Sequence, residues 1–137
     1  MNKKIAVVCI IILSVAVCGI LINRALISRK PFRDLSAADI SSATVWVIPP
    51  DITVDLTGDE IAELTAILRT VVIYNRDGSY SEYAGQGVIY TLKRTDGSQL
   101  TVMAYNPLIV IDGIGYRTKY EPCEALNALG NTIRNKS

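Results

Sequence analysis

An unbroken apolar run near the start, IAVVCIIILSVAVCGILI, leaves this chain few ways to fold: it fills residues 5–22, opening at Ile5 and closing at Ile22, without one charge. As a helix rising about 1.5 Å per residue, eighteen residues reach roughly 27 Å, close to the hydrocarbon thickness of a bilayer. With 23–27 partly in the interface, this length predicts a single transmembrane span within an anchor covering 1–27. The rival is a cleaved signal peptide, but the run exceeds the usual apolar core of such peptides. It also ends in Ile-Leu-Ile-Asn-Arg rather than at a small-residue cleavage site. Cys18 would suit a lipoprotein only with a small residue before it. Val17 stands there, and apolar residues continue beyond. The sequence thus points to an uncleaved signal anchor.

Sidedness is more finely balanced. Lys3 and Lys4 flank the run on one side, while Arg24, Arg29, Lys30 and Arg33 flank it on the other, so counting cations slightly favours a cytoplasmic domain. The short two-lysine start resembles a signal-anchor flank, and scarce cysteine beyond the span suits an oxidising exterior. The expectation is an extracytoplasmic C-terminal domain on a single-pass cell-membrane protein.

Beyond the anchor the composition is that of one ordinary domain. In 31–137, Lys and Arg number 9 and Asp and Glu 13, a net charge of −4; the other five of the chain's 14 cations precede Pro31. An acidic body without basic clusters argues against nucleic acid as a partner. Histidine is absent from the chain. That removes Ser-His-Asp and Cys-His nucleophile systems, histidine-containing zinc sites and the commonest general base near neutral pH. Cys9 and Cys18 lie in the apolar run, so Cys123 has no partner for an intradomain disulfide.

Residues 28–42 read as a polar tether. Alternation then begins in ATVWVIPP (43–50), a strand stopped by two prolines, and continues in DITVDL (51–56), with Ile52, Val54 and Leu56 inward. Thr57-Gly-Asp-Glu60 spells a capping box, followed by a helix with Ile61, Leu64, Ile67, Leu68 and Val71 on one stripe. VVIYN (71–75) is a short strand, and the region 79–87 lacks a period and reads as a loop. VIYTLKRTDGSQLTVMA (88–104) is a hairpin whose register follows from its faces. A loop of Thr95, Asp96 and Gly97 pairs Leu92 with Leu100, Tyr90 with Val102 and Val88 with Ala104, giving one continuous apolar face. A second hairpin, LIVIDGIGYRT (108–118), turns on Asp112-Gly113, and Gly115 marks a place where another element approaches closely. The last helix is expected to start at Pro122 and to bury Cys123, Leu126, Leu129, Gly130 and Ile133. The fold class is therefore α+β, in the order β-β-α-β-β-β-β-β-α over 43–137. Both helices cover one sheet face, while Thr91, Lys93, Thr101, Met103 and Tyr105 occupy a partly exposed second face.

Chemistry has few places to reside. Cys123 sits near a helix N-terminus, which favours a thiolate, but Glu121 and Glu124 oppose one, and the position falls on the buried stripe. Asp51 and Asp55, four apart in a strand, would stand roughly 13 Å from each other, too far to couple. Asn75, Asp77 and Ser79 share the spacing of a calcium loop, but Tyr80 replaces its glycine and Gln86 its bidentate acid. No catalytic residue, metal site or cofactor is expected. All seven tyrosines fall between Tyr74 and Tyr120, against one phenylalanine in the chain. A rim of Tyr74, Tyr80, Tyr83, Tyr105 and Tyr116, with Gln86 and Asn106, would suit ligand binding to a protein, peptide or glycan; the plainer alternative is packing along a sheet edge.

The segments VVIYN (71–75), SEYAGQG (81–87), AYNP (104–107), IDGIGYRT (111–118) and YEPCEALN (120–127) together resemble a family of uncharacterised, single-span small proteins of Gram-positive bacteria. The similar stretch covers roughly 32–133. It also resembles the extracytoplasmic tail of some antibiotic-sensing membrane metallopeptidase receptors. The resemblance implies an exterior domain and a sensory or regulatory setting. It transfers no catalytic residue, since a chain without histidine cannot hold those receptors' metalloprotease motif. Two functions follow as expectations: a non-enzymatic, membrane-anchored binding or sensory module, or a structural accessory subunit that acts through its transmembrane helix on another membrane protein.

Overall fold

The computed structural model describes residues 2–82, 85 and 87–137, and for 23–27 the backbone alone. The apolar run lies in α1 (Lys3–Ile27), whose N-cap Asn2 accepts from the Lys4 amide. An eighteen-residue stretch within its segment Lys3–Ile22 has a mean hydropathy of 3.3 and is not buried inside the molecule. Among the described residues nothing buries this stretch, and the helix is apolar on every side. It is long and apolar enough to cross a bilayer.

The expected tether does not stay loose. Arg29 exchanges two backbone hydrogen bonds with Ile73, at 2.9 and 2.8 Å. Phe32 is only 5% exposed, and Leu35 and Ala37 pack against the same core. A short 3-10 turn, Ala37–Asp39, follows under a capping box between Ser36 and Asp39. The polar count of 28–42 concealed these apolar side chains, whose burial draws the segment onto the domain.

The described residues then form β1 (Ile40–Ile48), β2 (Ile52–Asp55), α2 (Gly58–Leu68), β3 (Ile73–Arg76), a second 3-10 turn (Ser79–Glu82), β4 (Gly87–Arg94), β5 (Gln99–Tyr105), β6 (Leu108–Ile111), β7 (Ile114–Thr118) and α3 (Tyr120–Lys136). The seven strands form one antiparallel sheet in the order β2-β1-β4-β5-β6-β7-β3. The α+β class and element order expected from the sequence hold. Strand β3 lies at the far edge beside β7, so the chain must recross three strands to enter β4.

Turn chemistry sets the registers. Leu92 pairs with Leu100, Tyr90 with Val102 and Val88 with Ala104, with Gly97 at φ 89° in the intervening loop. Asp112 and Gly113 adopt φ of 48° and 84°, the two positive values of a type I′ turn, and Ile111 pairs with Ile114 across them. Asp51 also has positive φ, 67°, and lies in the β1–β2 turn rather than in the strand with Asp55 that the alternation predicts.

One sheet face carries the main core. Val45, Val47, Tyr90, Leu92, Val102 and Ile109 meet Ile61, Leu64 and Leu68 of α2, and Cys123, Leu126, Leu129 and Ile133 of α3. The Thr57–Glu60 capping box forms as the sequence spells it, with both reciprocal hydrogen bonds present. Helix α3 begins two residues earlier than expected, so Pro122 is its third residue. That position lies within the first turn, where a missing amide costs no intrahelical bond.

Candidate functional site

Neither α2 nor α3 lies over the opposite face, where the 3-10 turn Ser79–Glu82 brings Tyr80 against Gly115. The paired registers place Thr53, Trp46, Ile89, Met103, Val110 and Gly115 in one row across six strands. Beside it runs a second row, Asp55, Thr44, Thr91 and Thr101. Strand alternation creates this face: residues between the core positions must point away from the helices.

The first part of the connection from β3 to β4, residues 77–82, is clasped to one end of this face. The Asp77 amide donates to the Gly115 carbonyl at 2.9 Å. The Asp77 carboxylate accepts from the Ser79 amide at 3.0 Å and meets Arg117 Nε at 3.2 Å. These contacts, the Ser79 hydrogen bonds foremost, hold the carboxyl below its ordinary value. The Tyr80 hydroxyl donates to the Gly113 carbonyl, and its ring lies so close to Gly115 that an added Cβ would stand 2.7 Å from it. That Cβ would also overlap the Asp77 carbonyl oxygen. The close approach expected at Gly115 is this one.

On the same face Leu108 and Val110 are 1% and 5% exposed without belonging to the helix-side core. At the other end Trp46 is 38% exposed, and Ile89, Thr91, Thr101 and Met103 are half-buried. The Trp46 indole N–H donates to Asp51 Oδ1 at 2.7 Å. The result is a short apolar strip with a threonine border, and Lys93 exposed beyond it.

The tyrosine rim expected from sequence divides between the two faces. Tyr105 lies on the open face with Met103, its hydroxyl beside Gly85, and Tyr80 is committed to Gly113 and Gly115. Tyr116 pairs with Ile109 on the helix side, packs against the core there and has Arg29 over its ring. Tyr74 is 39% exposed on edge strand β3. Asn106 donates to Glu124 at 3.2 Å, while its amide oxygen is buried without a hydrogen bond in the described structure. Tyr83 and Gln86 lie outside the described residues. Alternation in ATVWVI sets Trp46 opposite Val45 and Val47, but nothing local shows that Ile89 and Met103 extend its row. A second grouping had no sequence signal at all: Lys30, Arg69 and Lys119 line one hollow.

Electrostatics give the buried groups little reactivity. Burial pushes the Cys123 thiol up to about 11, with Glu124 adding to the shift, so near neutral pH it is a protonated donor, and the Leu108 carbonyl accepts from it at 3.5 Å. Burial likewise raises the Tyr90 phenol, which donates to the Leu126 carbonyl inside the core. Among the described residues, no three His, Cys, Asp or Glu side chains are grouped to hold a metal ion. This arrangement can recognise by contact, through apolar area, threonine hydroxyls and one indole. Compared with known proteins, the chain matches no family model, no curated protein and no solved structure.

Proposed function

We propose that this chain is a non-enzymatic binding or sensory module, held at the cell membrane by α1 with its α+β domain on the extracytoplasmic side. The observation that carries the reading is the half-open row Trp46, Ile89 and Met103, an apolar strip that neither helix covers. An indole supplies a large contact area with few rotatable bonds, and a thioether adapts its shape to what it meets. The resemblance to single-span exterior modules supports the same setting.

A photoreactive residue in place of Ile89, in the full chain in intact membranes, tests the reading. A discrete adduct from that position, and none from exposed Ala62 on α2, is the expected result. Equal, diffuse labelling from both positions would reject a binding face. Replacing α1 by an unrelated span should leave the adduct in place. Its loss would favour an accessory subunit that works through the helix. Protease added to whole cells should remove the domain, and a protected domain would place it in the cytoplasm.

A further inference from the structure

The point where α1 hands over to the domain gathers positive charge that the sequence scatters. Arg29 is bonded to Ile73 through two backbone hydrogen bonds, and the Lys119 amide donates to the adjacent Val72 carbonyl at 3.1 Å. Around this node Lys30, Arg69 and Lys119 line a single hollow, in which Glu121 is the one acidic side chain. All four cations, Arg29 included, are exposed. Among the described residues the ion pairs are Arg33 with Asp34 and Arg117 with Asp77, and none of these four takes part. The collar runs against the net −4 of 31–137, a stretch that counts Arg69 and Lys119 among its cations.

Its distance from the anchor is short. Between the apolar segment ending at Ile22 and Arg29 stand six residues, five of them helical. They span roughly 11 Å at about 1.5 Å per helical residue and about 3.3 Å for one extended one. The headgroup layer takes up about 5–8 Å of that. The remaining gap is shorter than the Debye length of about 8 Å at physiological salt. We propose that Arg29, Lys30, Arg69 and Lys119 dock the domain onto anionic phospholipid headgroups and so fix its attitude on the bilayer. This rests on the reading of α1 as a span. Each cation should strengthen docking about fivefold, the usual worth of a basic side chain at an anionic surface.

The test uses the full chain in nanodiscs of phosphatidylcholine, with or without about one third phosphatidylglycerol, carrying a trace of headgroup-labelled paramagnetic lipid. Amides of Lys30, Thr70 and Lys119 should relax several-fold faster in the anionic discs. The triple variant Lys30→Gln, Arg69→Gln, Lys119→Gln should return them to the zwitterionic level. Equal relaxation in both discs, with residues 5–22 protected from exchange, would overturn the docking and leave the span intact. Free exchange of 5–22 would overturn both. Shifts of the same amides by inorganic phosphate in zwitterionic discs would assign the collar to a soluble anion and also overturn it.

Discussion

The two faces of one sheet are finished by different means. On the helix side, alternating strands meet two amphipathic helices, and burial is complete from Val45 through Tyr90 to Leu126. On the other side a short connection, pinned at Asp77 and Tyr80, packs against Gly113 and Gly115, and while Leu108 and Val110 are buried Trp46 stays in contact with solvent. A face closed by periodic elements is committed to stability. A face closed by a loop keeps a remainder, and that remainder is where contact with a partner is available.

The contrast can be broken most forcefully on the helix side. Leu126→Ala, at a fully buried position, should cost about 2–5 kcal/mol in chemical or thermal unfolding followed by circular dichroism; a cost below ~1 kcal/mol would mean that α3 does not close the core. Gly115→Ala should cost about 1–3 kcal/mol, because the new methyl meets the Asp77 carbonyl and the Tyr80 ring. Its signature differs from that of Leu126→Ala: amide exchange should rise in 77–82 and little on the helix side. Uniform acceleration of exchange would erase the distinction between the faces.

Acid should loosen the same clasp reversibly. The Asp77 carboxyl is held below its ordinary value of 3.8, so its stabilising contribution is complete above that pH and is lost as pH falls through the lowered folded value. Exchange of the 77–82 amides should therefore rise below pH 3.8 before the core opens, and Asp77→Asn should abolish that step. A step retained in the variant would assign it elsewhere. The smallest effect belongs to the open strip. Trp46→Thr should change stability by less than ~1 kcal/mol, since the side chain is only partly buried, while removing the Ile89 photoadduct. A large loss of stability would make the indole a structural member.

The same contrast explains what the sequence disclosed. Hairpin register was legible because Asp-Gly turns and a single apolar face admit one solution, and the α3 stripe because a 3.6-residue period survives in isolation. The destination of β3 was not legible. Its placement beside β7 depends on pairing between Ile73 and Thr118, distant in sequence, and nothing local encodes that choice. The tyrosine rim divided for the same reason: Tyr105 and Tyr116 point to opposite faces once β5, β6 and β7 pair. The basic collar was invisible because Lys30, Arg69 and Lys119 meet only through the backbone bonds around Val72 and Ile73.

Oxidative footprinting of the only tryptophan, Trp46, and of Met103, with buried Tyr90 as the internal reference, reaches the functional claim most directly. In the purified full chain in nanodiscs, Trp46 and Met103 should oxidise readily while Tyr90 stays protected, and in native membranes both should become protected. Equal oxidation of Trp46 and Met103 in the two settings would contradict a face that works by contact.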